Sequence, residues 1–134
     1  MAQIPVGTVH EQKLLVTGEV AITFTGNENA RVLSTPHMIG WMEMTCRNGI
    51  LPLLEPGHDS VGTVVNVRHL AATPIGMQVT FRAEVVAVED RRVTFKVEAW
   101  DEAEKIGEGI HERFVVNVER FGTKAQAKAT GRQG

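Results

Sequence analysis

Cysteine is almost absent: Cys46 is the only one in 134 residues. That excludes an intramolecular disulfide and a zinc cluster built on thiolates, and it suits a reducing compartment. Long apolar runs are missing too, since no stretch approaches the roughly 18 residues that span a bilayer. The opening MAQIPVGTVHEQK lacks a charged segment followed by an apolar one, so no secretory signal is read there and a cytoplasmic location with no membrane partner is expected. Charge of one sign is equally scarce. A net charge of −2 is too small a field to recruit nucleic acid. What is present is ordinary for a water-soluble globular chain, with 43% hydrophobic and 22% charged residues. The length suits one domain with one site.

Lys13 to Phe24 is β-prone, with Leu14, Leu15, Val16, Val20, Ile22 and Phe24 around Thr17 and Gly18. A polar stretch from Thr25 to Arg31 leads into Ser34, Thr35 and Pro36, a hydroxyl cap followed by proline in the first helical turn. The helix this starts is predicted to run to about Leu54, where Glu55, Pro56 and Gly57 end it. Met38, Ile39, Met42, Cys46, Gly49, Ile50 and Leu53 fall on one arc of it and form a buried stripe. No second helix is predicted.

From Ser60 the period becomes two. Val61, Thr63, Val65, Val67 and His69 share one strand face, as do Val79, Phe81, Ala83 and Val85, then Val93, Phe95, Val97 and Ala99, and finally Ile110, Phe114, Val116 and Val118. Short polar turns between the later strands make them antiparallel neighbours. The layout is α+β, one long helix covering one face of an antiparallel sheet, and a parallel doubly wound sheet is excluded. After Phe121 apolar periodicity stops, so residues 1–121 are read as the domain and 122–134 as a flexible basic tail carrying Lys124, Lys128 and Arg132.

Three residues break the pattern. Glu43 lies ~20° from Ile50 and Leu54 on an ideal helix, at the border of the buried stripe. A partly desolvated carboxylate there is suited to act as base or nucleophile, and the structural alternative is an i,i+4 pair with Arg47. His69 ends an inward-facing apolar run. It is either a satisfied core histidine or a group that moves protons near neutral pH. Thr35 is accounted for as a helix cap, although the backbone N–H groups after Pro36 would suit a developing oxyanion. His111 and Arg113 share a strand face, either as phosphate contacts or as two exposed polar side chains on an edge. Cys46, inside the stripe, is read as core rather than nucleophile.

The strings STPHMIGWMEMTC, SVGTVVNVRHLAATPIG and GEGIHERFVVNVERF resemble the fluoroacetyl-CoA thioesterase family and its hotdog relatives over about Leu33 to Phe121. HLAATPIG and the GxHER strand are the more specific parts. The resemblance implies a hotdog fold and hydrolysis of short-chain acyl-CoA thioesters by a catalytic set on Thr35, Glu43 and His69. Glu43 serves there as nucleophile or general base. The resemblance also implies substrate-binding roles for Gly62 and Arg113, a coenzyme A thioester as substrate, no cofactor or metal, and a homodimer with sites near the interface. In the specialised enzyme the segment before the helix is longer and carries a phenylalanine lid. Here it is TGNENARVLS, without an aromatic residue, so strong selection for a fluorinated acyl group is not implied. The other readings are a hotdog protein that binds an acyl thioester without cleaving it, and a hotdog dehydratase acting on a 3-hydroxyacyl chain.

Overall fold

The computed structural model describes residues 3–23 and 26–131. Phe24 and Thr25, expected at a strand end and the start of a loop, and Arg132 to Gly134 of the expected tail lie outside these residues. The strands are β1 (Val9–Leu15), β2 (His58–His69), β3 (Gln78–Glu89), β4 (Arg92–Trp100) and β5 (Lys105–Asn117). They form one antiparallel sheet in the order β1-β3-β4-β5-β2.

The alternation in β3 and β4 does what the sequence pattern predicts. Phe81 pairs with Ala99, Ala83 with Val97 and Val85 with Phe95, and all six side chains are buried. Because β1 and β2 sit at opposite edges, the chain must cross the sheet between them. The crossing is made by α1 (Thr35–Ile50), whose Met38, Met42, Cys46 and Ile50 join the strand residues in one core. Trp41 stacks on Phe81 with ring centroids 6.0 Å apart. Helix and sheet approach closely at Gly107, where a Cβ would lie 2.7 Å from the Met38 Sδ.

The α-helix stops at Ile50, earlier than expected, and continues as a tighter 3-10 turn over Leu51–Leu53. Pro52 has no N–H to extend the α ladder. The change of pitch swings Leu53 off the buried stripe, leaving it 38% exposed. Thr45 is buried instead, its hydroxyl satisfied by the Trp41 carbonyl at 2.7 Å.

Two strand faces differ from expectation. The β2–β5 register shifts between Gly62 and Val64, so Thr63 is an extra residue in a β-bulge and the phase of the strand changes there. Ser60 and Gly62, not Val61 and Thr63, share the helix-facing side with Val65, Val67 and His69. Their partners on β5 are Val115, Arg113, His111, Gly109 and Gly107. On β5 the apolar residues expected to close the core, Ile110 and Phe114, are 38% and 40% exposed, while His111 and Arg113 are 2% and 6% exposed. The polar pair is therefore interior, on a strand flanked by β4 and β2, and is not an exposed edge.

A second helix, α2 (Val118–Gly131), occupies most of the segment read as an irregular tail. Its Ala, Lys and Gln content favours helix without an apolar stripe. Asn117 caps it, the side-chain oxygen accepting from the Arg120 N–H at 2.9 Å. None of its residues is buried. Deleting residues 122–134 is accordingly expected to leave the melting temperature unchanged. A lowered melting temperature would show that α2 is structural.

Candidate active site

The end of β2 is tied to the start of α1 through the backbone. The Leu33 N–H donates to the Thr73 carbonyl at 2.8 Å, Val32 bridges Pro74, and the Leu70 N–H donates to the Ile106 carbonyl at 2.7 Å. At this junction Ser34, not Thr35, is the N-cap, its Oγ accepting from the His37 N–H at 3.2 Å. The capping role assigned to Thr35 is thus taken by its neighbour. Thr35 is left to hydrogen-bond His69, Oγ1 to Nδ1 at 2.7 Å.

The helix terminus is not an open row of donors, because Pro36 has none, His37 donates to the Ser34 Oγ and Met38 to the Ser34 carbonyl at 3.0 Å. His69 Nε2 is buried and has no hydrogen-bond partner among the described residues. Burial holds the ring below the ordinary histidine value, so the neutral form is favoured. The pair opens on a cleft of about 360 Å³ with aliphatic walls from Ile22, Val32 and Leu70.

Glu43 does not pair with Arg47. Arg47 instead grips Asp59 with Nε to Oδ1 at 2.9 Å and Nη2 to Oδ2 at 2.6 Å, which holds the Asp59 carboxyl below the usual range. The Glu43 side chain, 39% exposed, puts Oε2 at 3.9 Å from His111 Nε2 and 4.0 Å from Arg113 Nη1. It lies against Gly62, where a Cβ would stand 2.5 Å from the same oxygen. Only glycine lets the carboxylate come so near the strand. Behind it, Arg113 donates from Nε to Ser60 Oγ at 2.6 Å and from Nη2 to the Ser60 carbonyl at 2.7 Å. Cys46 is buried, and burial raises its thiol pKa, which removes it as a nucleophile.

The predicted residues therefore form two groups. Thr35 and His69 meet in one cleft, while Glu43, Gly62 and Arg113 line another. Along α1 the two groups stand about two turns, or ~12 Å, apart. Ser60 was missed and His111 left undecided. Their signal was a polar residue at every second position, Ser60 before Gly62 and His111 before Arg113, which reads as a surface unless the bulge is known.

One helix laid across an antiparallel five-stranded sheet, with polar side chains where it runs beside the edge strand β2, is the arrangement shared with the hotdog thioesterases. The fluoroacetyl-CoA-specific thioesterase family model matches residues 16–119, and the chain belongs to that family. The fluoroacetyl-CoA thioesterase of Streptantibioticus cattleyicolor is 45% identical over 101 residues, 75% of this chain and 73% of that protein. A solved structure of the fluoroacetyl-CoA thioesterase FlK superposes with a TM-score of 0.86 at 36% identity, covering 94% of this chain and 98% of the other. A thioesterase superfamily member from Thermus thermophilus gives 0.86 at 30% identity, with 96% of each chain covered.

Both His69 and His111 are held by burial below an ordinary value of 6.5. The unfolded chain then binds more protons than the folded one just below that value, and their contribution to stability is complete above it and lost as pH falls through the folded values. The urea midpoint is expected to drop between about pH 7 and about pH 5.5. An unchanged midpoint would contradict two rings held neutral by the fold.

Proposed function

We propose that the protein hydrolyses short-chain acyl-CoA thioesters to the free acid and coenzyme A. The observation that carries this reading is the 2.7 Å bond between Thr35 Oγ1 and His69 Nδ1, which orients a ring whose Nε2 is buried and unpartnered. Hydrolysis needs a proton taken from water as a C–O bond forms and a proton given to the thiolate as the C–S bond breaks. A neutral imidazole moves protons in both directions. Glu43 is assigned the other half of the chemistry, as general base for water or as nucleophile forming an anhydride that water then opens. Gly62 gives the carboxylate its approach, and Arg113 faces it with a fixed positive charge. A cytoplasmic location belongs to the same reading; no helix among the described residues is long and apolar enough to cross a membrane.

The working unit in this reading is a homodimer. Strand β2 is an edge of the sheet and exposes Val64 and Val65 at 40% and 45%, and such an edge is a template for pairing with a second copy. Antiparallel pairing of two β2 strands about their middle residues would bring the His69 end of one strand alongside the Gly62 stretch of the other. Glu43 would then serve the Thr35–His69 pair of its partner across the ~12 Å that separates them within one chain.

Glu43→Gln and His69→Ala are each expected to abolish most turnover while circular dichroism stays native, since each removes a proton carrier or nucleophile. Mixed after unfolding and refolding together, the two inactive proteins should regain up to about a quarter of wild-type activity, because half the dimers would hold one intact composite site. No recovery from folded mixed dimers would put both residues of each site on one chain. Near-wild-type hydrolysis by either variant alone would remove that residue from the catalytic set.

Acyl selection follows from the walls of the His69 cleft. Ile22, Val32 and Leu70 are aliphatic, and Thr25 to Ser34 supplies no aromatic side chain. One methylene changes discrimination by only ~1–3 kcal/mol in such a pocket. With a thiol-detecting dye and fluoroacetyl-, acetyl-, propionyl- and butyryl-CoA, kcat/KM is expected to vary gradually and to include the larger acyl groups. A preference for fluoroacetyl-CoA above about a thousandfold would exceed what these contacts supply and overturn broad selection.

A further inference from the structure

We propose that His111 is a positioning residue that holds the Arg113 guanidinium at a set distance from Glu43. This deepens the thioesterase reading above and rests on it. The imidazole Nδ1 lies 2.8 Å from the Val64 carbonyl, which can only accept, so Nδ1 carries the proton. The ring is 2% exposed, wedged beside Phe95 with centroids 6.3 Å apart, and a neutral ring protonated on Nδ1 presents a lone pair on Nε2. That lone pair accepts from Arg113 Nη1 at 3.2 Å. Together with Ser60 Oγ and the Ser60 carbonyl, it holds the guanidinium at three points, one for each of its nitrogens.

The consequence lies in the remaining gap. Arg113 Nη1 is 4.0 Å from Glu43 Oε2, near enough to attract the carboxylate and too far to hydrogen-bond it. Nη1 carries two N–H bonds and His111 takes one; without that acceptor nothing holds Nη1 back from Glu43, and the two can close into a direct ion pair. A carboxylate tied in that way is a poorer base and a poorer nucleophile. The β-bulge is part of the device. Val64 is the first residue after the register shift, and its carbonyl, taken by a side chain, fixes which nitrogen of His111 carries the proton.

Two variants separate this role from simple packing. His111→Asn keeps a donor near the place of Nδ1 and removes the acceptor at Nε2, whereas His111→Phe keeps the ring beside Phe95 and removes both. Each is expected to lower kcat roughly tenfold to a hundredfold, as loss of an orienting partner does, with KM little changed. Added to Arg113→Met, either should cost almost nothing further, because the residue acts through Arg113. Full kcat in a folded variant, or a loss that multiplies onto that of Arg113→Met, would overturn the proposal. Nitrogen NMR of the wild-type protein gives an independent reading near neutral pH. The Nδ1–H tautomer is expected, with an Nε2 resonance that moves in Arg113→Met, and an Nε2–H or doubly protonated ring would overturn the proposal even if every variant unfolds. A wild-type protein inactive on all acyl-CoA esters would instead overturn the thioesterase reading, and the tautomer measurement would still decide the clamp.

Discussion

The hydrogen bond from the Leu33 N–H to the Thr73 carbonyl at 2.8 Å fixes where the long helix begins relative to the end of β2, and the site depends on it. Apolar packing alone would let a helix slide along a flat sheet with little change in buried area. A backbone bond at one end removes that freedom. Ser34 then closes the helix terminus, Thr35 is released toward His69, and Glu43, two turns on, is delivered to Gly62. The bidentate Arg47–Asp59 pair ties the other end of α1 to β2, so the helix is tethered to one strand at two places along its length.

That strand is itself divided by the bulge at Thr63. A regular β2 would point Val61 and Thr63 at the helix and bury an apolar face under Glu43. With one extra residue, Ser60 and Gly62 face inward instead. One supplies two acceptors for Arg113 and the other supplies empty space for a carboxylate. An interior cation is tolerable because each of its nitrogens has an acceptor; with one fewer, a further donor would be left without a partner, at a cost of about 1–3 kcal/mol or more.

Much of the fold could be read from local pattern, because β3, β4 and α1 each carry their own period. Phe81, Phe95, Met38 and Cys46 are buried as that pattern implies. Glu43 and His69 stood out for the same reason, as polar groups at or beside positions where the period called for apolar ones, whereas Thr35 was read as a helix cap. What was not legible depends on partners far along the chain. The phase of β2 is set by pairing with β5, and the burial of Arg113 by Ser60, more than fifty residues away. The second helix escaped for a different reason: α2 has no buried face, so periodicity had nothing to detect and only the Asn117 cap marked its start.

Gly107 adds a consequence for altering the pocket. It lies opposite His69 in the ladder and directly under Met38 and Met42. A larger residue there meets the Met38 and Met42 thioethers first, and those side chains must find new positions under the first turns of the helix. A change at Gly107 therefore disturbs the core beneath the helix, whereas the aliphatic rim at Ile22 and Val32 belongs to a connecting segment outside the sheet. A library aimed at bulkier acyl groups has its freedom on that rim, and evolution working on the same scaffold faces the same asymmetry.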